Sequence, residues 1–347
     1  MEKKNRQWKL FAFMFAAVFA VGLTAGCSNS DSAEDEGDGT LTLYNGQHKD
    51  ATSSLIEAFT EETGIEVEDR DGSSAELAHQ IVEEGDKSPA DIIYTEESSP
   101  LIMLEEQSLL SEIDEDSLES IPEEYKDEGN EWTGVLARSR VVVFNPDMIK
   151  EEDLPDSVLD LQDSEWKDQV GFVPTSGAFQ MQVSAMIKLE GEEATKEWLE
   201  GLKANGKTFK HNQNALDAVE NEEVPFALIN NYYWDRQAKE KGEDAMNSEL
   251  HFFGTHDLGD LITVASAGIL ESSDNKEEAQ EFIDFMTSEE GQQILTDESS
   301  QYPLNPDVET EGLKPFSELT PPNDTLDLGE YSDGQEAVEL LQEVGVL

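Results

Sequence analysis

One cysteine, Cys27, is all that 347 residues provide, so no intrachain disulfide can staple the fold. Cationic side chains are almost as scarce. Lys and Arg number 22 against 79 Asp and Glu, a net charge of −57 at pH 7, and such a chain is repelled by nucleic acid and by anionic membrane surfaces. Its main apolar run, Leu10 to Leu23, is too short to cross a bilayer comfortably. Zinc and calcium spacings (H-x₃-H, EF-hand) are missing too. Apolar residues are not missing: they make up 37% of the chain and recur periodically, which excludes a disordered acidic protein. The length is enough for a large core and suggests two domains.

The first 26 residues differ in kind from the rest. Lys3, Lys4, Arg6 and Lys9 form a basic head, an apolar stretch follows, and Leu23-Thr24-Ala25-Gly26-Cys27 closes it. That order reads as a secretory signal over 1–26. Its Ala-Gly-Cys ending resembles the lipobox of bacterial lipoproteins, with Thr24 standing where Leu is usual. The resemblance implies lipid on Cys27; the alternative is an ordinary cleaved signal with a chance Cys. Removing 1–26 takes away four basic residues and one acidic one, moving the charge to −60. Residues 27–39 contain no apolar side chain larger than Ala beyond Cys27 and read as an acidic, flexible linker. The expected location is extracytoplasmic, on the outer face of the plasma membrane of a Gram-positive-type cell. The acidic excess reads as adaptation to a salty or otherwise demanding exterior.

From Thr40 a strand–helix rhythm begins. Leu41 to Tyr44 alternates as a strand, and Leu55, Ile56 and Phe59 mark a helix stopped by Gly64. Ile65 to Val67 is the next strand, Ser73 or Ser74 caps a helix carrying Leu77 and Ile81, and Asp91 to Tyr94 is a buried strand. Arg140 to Phe144, Val170 to Val173, Phe226 to Ile229 and Leu261 to Leu270 read as further strands, with late helices over roughly 275–296 and 333–344. This is an α/β pattern of parallel strands covered by helices, most economically two lobes joined by crossing strands. In such sheets ligands bind beyond the C-terminal strand ends, where His48, Glu96, the 175–177 loop and Tyr232-Tyr233 all fall.

Singly these residues say little; together they suit one chemistry. Two phenolates and a carboxylate would neutralise a +3 ion, an imidazole would add a neutral donor, and two octahedral positions would stay open. Free tyrosine titrates near pH 10, but a trivalent cation would expel its proton at neutral pH. Thr175-Ser176-Gly177-Ala178 offers backbone N–H groups at a helix N-terminus, suited to an anion or to nothing more than an ordinary cap.

The segments TLYNGQHKDA (42–51), SPADIIYTEE (88–97), RSRVVVFN (138–145), GFVPTSGAFQMQV (171–183), AVENEEVPFALINNYYW (218–234) and QYPLNPDV (301–308) closely resemble the periplasmic ferric-ion-binding proteins of iron ABC importers. The resemblance spans 40–347 in order. It implies a two-lobed periplasmic-binding-protein fold (type II-like), with two mixed sheets flanked by helices and joined by crossing strands. Lobe one would be 40–138 plus about 265–313; lobe two would be 139–264 plus about 314–347. It implies Fe(III) held by His48, Glu96, Tyr232 and Tyr233, with a synergistic anion, phosphate or carbonate, on Ser176, Gly177, Ala178, Asn212 and Asn230. Its implied partners are an ABC permease with its ATPase, and ferric ion or a ferric chelate, for a monomeric non-enzyme. Glu97 stands where several members have Gln, a charge expected to weaken anion retention, and 254–264 lacks a basic residue often found there. A binder of an organic cation or of a sulfonate, thiamine or polyamine-type solute is the competing reading; an enzyme would need a second metal or a nucleophile, and no further cluster is visible.

Overall fold

The computed structural model describes residues 39–310, 312–322 and 334–347. The signal segment, Cys27 and nearly all of the acidic linker lie outside the described residues. The chain begins with β1 (Thr40–Asn45), α1 (Lys49–Thr63), β2 (Glu66–Asp71), α2 (Ser74–Glu84), β3 (Ile92–Thr95), α3 (Ser99–Glu105) and β4 (Leu110–Ser111). Leu41 and Leu43 of β1 turn inward together with Leu55 and Phe59 of α1, all without solvent exposure. Gly64 ends α1 at φ +81°, its N–H reaching Thr60 O, a left-handed stop for which glycine is suited. Ser73, rather than Ser74, caps α2 by accepting the Glu76 N–H, a bond worth about 1 kcal/mol.

The middle and end of the chain supply β5 (Thr133–Phe144), β6 (Val170–Phe172), α4 (Gly177–Glu190), α5 (Glu192–Asn205), β7 (Gly206–Thr208), α6 (Asn212–Glu220), β8 (Phe226–Asn230), α7 (Asn231–Lys241), β9 (Glu249–His251), β10 (Ile262–Leu270), α8 (Lys276–Thr287), α9 (Glu289–Ser299), β11 (Tyr302–Pro303) and a last helix, Gln335–Val344. The expected helix over 275–296 is two helices, because Ser288 caps a new start by accepting the Gly291 N–H.

Strand order is β2-β1-β3-β10-β5-β8-β6-β7. The parallel pairing that the rhythm predicts holds for β2-β1-β3 and for β8-β6-β7, while β10 and β5 run antiparallel to their neighbours. β5 is far longer than the expected Arg140–Phe144. Thr133 to Ser139 pairs with β10, and Arg140 to Phe144 pairs with β8. All twelve of its residues are buried. The two expected sheets are therefore one continuous path that changes partner in the middle of a single strand. Phe59 packs edge-on against Phe282 in the first half, and Trp198 stacks on Phe179 in the second. No helix among the described residues is long and apolar enough to cross a membrane.

Candidate functional site

The strand exits of both halves converge where β5 changes partner. His48 follows β1 as the residue before α1, its N–H donating to Gln47 Oε1 at 2.9 Å. Glu96 follows β3; its N–H donates to Ser74 Oγ at 3.0 Å and its carbonyl accepts from Arg138. Tyr232 and Tyr233 open α7 directly after β8, with Asn230 as N-cap. Their rings stack at 4.3 Å and 28°, and the His48 ring meets Tyr232 edge-on at 5.5 Å. Donors from opposite halves thus touch. A cleft of about 740 Å³ opens beside them, lined by His48, Lys49, Gln213, Tyr233 and Arg236 among others.

Burial, the Tyr233 phenol and Glu96 push the Tyr232 hydroxyl well above its ordinary range, so in the metal-free protein it is a neutral phenol. Burial lowers the His48 imidazole, and Arg138 and Arg236 add to this while Glu96 opposes it; the neutral ring is the form that ligates metals. Among the described residues no three His, Cys, Asp or Glu side chains converge as a metal-holding cluster. The tyrosines add oxygen donors beside His48 and Glu96, and three oxygens with one nitrogen suit a hard, highly charged ion.

The five expected anion partners sit at helix N-termini of the second half. Ser176 precedes α4 without a side-chain capping bond, Gly177 and Ala178 are its first two residues, and Asn212 opens α6. Asn212 Nδ2 donates to Ser176 Oγ at 3.3 Å, and its buried Oδ1 has no partner. Asn230 precedes α7, and its Oδ1 accepts from Arg140 Nη1 at 2.9 Å. Burial lowers the Arg140 guanidinium to about 9, and its Nε and Nη2 find no partner.

The sequence did not reveal what Glu97 does. Arg138 Nη2 donates to its Oε1 at 2.9 Å in a pair whose side chains are 3% and 17% exposed. Burial pushes the Glu97 carboxyl up to about 7, with Arg138 opposing. The same Oε1 lies 2.6 Å from where a Cβ on Gly177 would stand. The carboxylate therefore rests on the N-terminus of α4, a contact between two halves that no local pattern encodes.

A mixed α/β chain that gathers polar donors between two sheet halves is built as an extracellular solute-binding protein. The family described as bacterial extracellular solute-binding protein matches residues 87–323. The major ferric iron-binding protein of Neisseria meningitidis is 43% identical over 312 residues, covering 88% of this chain and 93% of the relative. Iron-bound HitA from Pseudomonas aeruginosa has a TM-score of 0.83 at 48% identity, covering 88% of this chain and 99% of its own. The Trichodesmium protein IdiA (FutA), in complex with iron and citrate, has a TM-score of 0.78 at 25% identity, covering 88% and 99%. The chain belongs to this solute-binding family, within its ferric-ion-binding branch, and shares the two-lobed fold of those structures. Like its relatives it is a binding protein and not an enzyme.

Proposed function

We propose that the protein captures one ferric ion between its lobes, on His48, Glu96, Tyr232 and Tyr233, and delivers it to an ABC permease and its ATPase. The observation that carries this reading is the contact of His48 with the stacked Tyr232-Tyr233 pair across the two halves. Two phenolates and one carboxylate balance the ion's charge, and the ligand set is complete only when the lobes are closed, so binding shifts the population toward closure. Residues 40–138 with about 265–313 would form the first lobe, and 139–264 with about 314–347 the second; the change of β5 from β10 to β8 after Ser139 supports this division. Lipid on Cys27 would hold the binder beside its permease on the outer face of the membrane. Either free iron or a chelate would serve as the source.

The test is spectroscopic. Ferric iron supplied as its nitrilotriacetate complex is expected to produce a visible phenolate-to-iron charge-transfer band at one iron per chain. The double substitution Tyr232→Phe, Tyr233→Phe should abolish it. A band of full strength in the double variant sinks the assignment, as would stabilisation by thiamine or spermidine exceeding that by iron.

A further inference from the structure

α4 runs for fourteen residues, so its first turn carries unsatisfied N–H groups and the positive end of the helix dipole. Ser176 leaves those groups without a side-chain cap. Against Gly177 in that turn lies Glu97, brought from beyond β3 in the other half, with Oε1 packed so closely that any Cβ there would collide with it. Arg138, itself buried, grips the same oxygen and also bonds the Glu96 carbonyl. Burial opposes the Arg138 charge, but Glu97 and Glu96 outweigh it and raise its pKa. A carboxyl group held by a buried guanidinium thus already stands at the mouth of the helix.

We propose that Glu97 is a built-in anion: its carboxylate takes the seat at the N-terminus of α4 that a free phosphate would otherwise take. This rests on the ferric reading of the same site. The charge balance favours it. As an ion pair, Glu97 and Arg138 cancel, leaving Glu96 and two phenolates to balance the ferric ion. A phosphate dianion added beside Glu97 would set like charges together in a buried site, which disfavours both being ionised.

Iron is titrated into the full chain in a degassed buffer free of phosphate, carbonate and citrate, then in the same buffer with inorganic phosphate. The wild-type protein is expected to develop its band fully without added anion, to change affinity less than about twofold with phosphate, and to hold no phosphate after desalting. Glu97→Gln, which keeps the shape but removes the charge, should bind iron at least about tenfold more weakly without anion, the scale of one lost charge-assisted bond. It should recover with phosphate and retain one phosphate per iron. Wild-type protein that requires phosphate and retains it at one per iron overturns the built-in anion, whether or not the variant folds, and leaves the iron site standing. A wild-type protein with no band in either buffer overturns the site itself and this inference with it.

Discussion

Gly46 lies two residues before His48 and governs how closely α2 can approach the site. A Cβ at this position would stand 2.5 Å from Ser74 Oγ and 2.9 Å from Ser74 Cα, and the second of these is backbone that cannot swing aside. The approach is what lets Ser74 Oγ accept the Glu96 N–H, while the Gly46 N–H itself bonds Tyr94 O at 2.7 Å. Gly46→Ala is therefore expected to cost about 1–3 kcal/mol in urea denaturation and to weaken iron binding through a displaced Glu96. An unchanged unfolding midpoint would contradict the packing argument. At this scale the sequence was informative about donor types, because His48, Glu96, Tyr232 and Tyr233 each follow a recognisable strand. It was silent on the contact between Glu97 and Gly177, which exists only once the two halves have met.

Elements were legible where burial was uniform and illegible where function broke the pattern. The apolar end of β5 could be read from Val141, Val142 and Val143, but Gly134, Arg138 and Ser139 interrupt its first half, so the strand that threads both halves looked like five residues instead of twelve. A similar polar intrusion governs the turn before β10. Asp260 is 3% exposed, yet it accepts the N–H groups of Phe253 at 3.0 Å and Gly254 at 2.6 Å. Burial pushes its carboxyl up to about 7 against those bonds, with Asp257 raising it further and Lys314 lowering it. Because the folded value lies above the unfolded one of about 4, the native state binds the extra proton between those limits. Stability from this group is then full at the acidic end and falls as pH rises toward 7. Moving from pH 8 to pH 6 is expected to raise stability by about 1 kcal/mol through Asp260, seen as a rise in Tm. Asp260→Asn should remove that share of the rise, and an identical pH profile in the variant would refute the assignment.

Across the whole molecule, charge is the dominant unknown of stability. Of the 22 Lys and Arg, Arg138 and Arg140 are buried behind the site and do nothing to neutralise the surface. Pairs such as Lys207 with Glu223 at 2.9 Å are half exposed, and bonds of that kind contribute roughly 0–1 kcal/mol. With a net charge of −57, the remaining acidic side chains repel one another in the compact state more than in the extended one. Salt shortens the reach of that repulsion from about 10 Å at 0.1 M to about 3 Å at 1 M, so screening should stabilise the fold. Tm is expected to climb by at least about 5 °C between 0.1 and 1 M sodium chloride, equivalent to roughly 1–3 kcal/mol for a chain of this size. Potassium chloride should act equally, since screening depends on ionic strength and not on the ion. Wild-type protein whose Tm stays flat in both salts would show that the acidic surface carries no net strain in the folded state. The reading of that surface as an adaptation to salt would then fall, while the proposed iron site would be unaffected, because its ligands act on the ion at contact distances well inside the screening length.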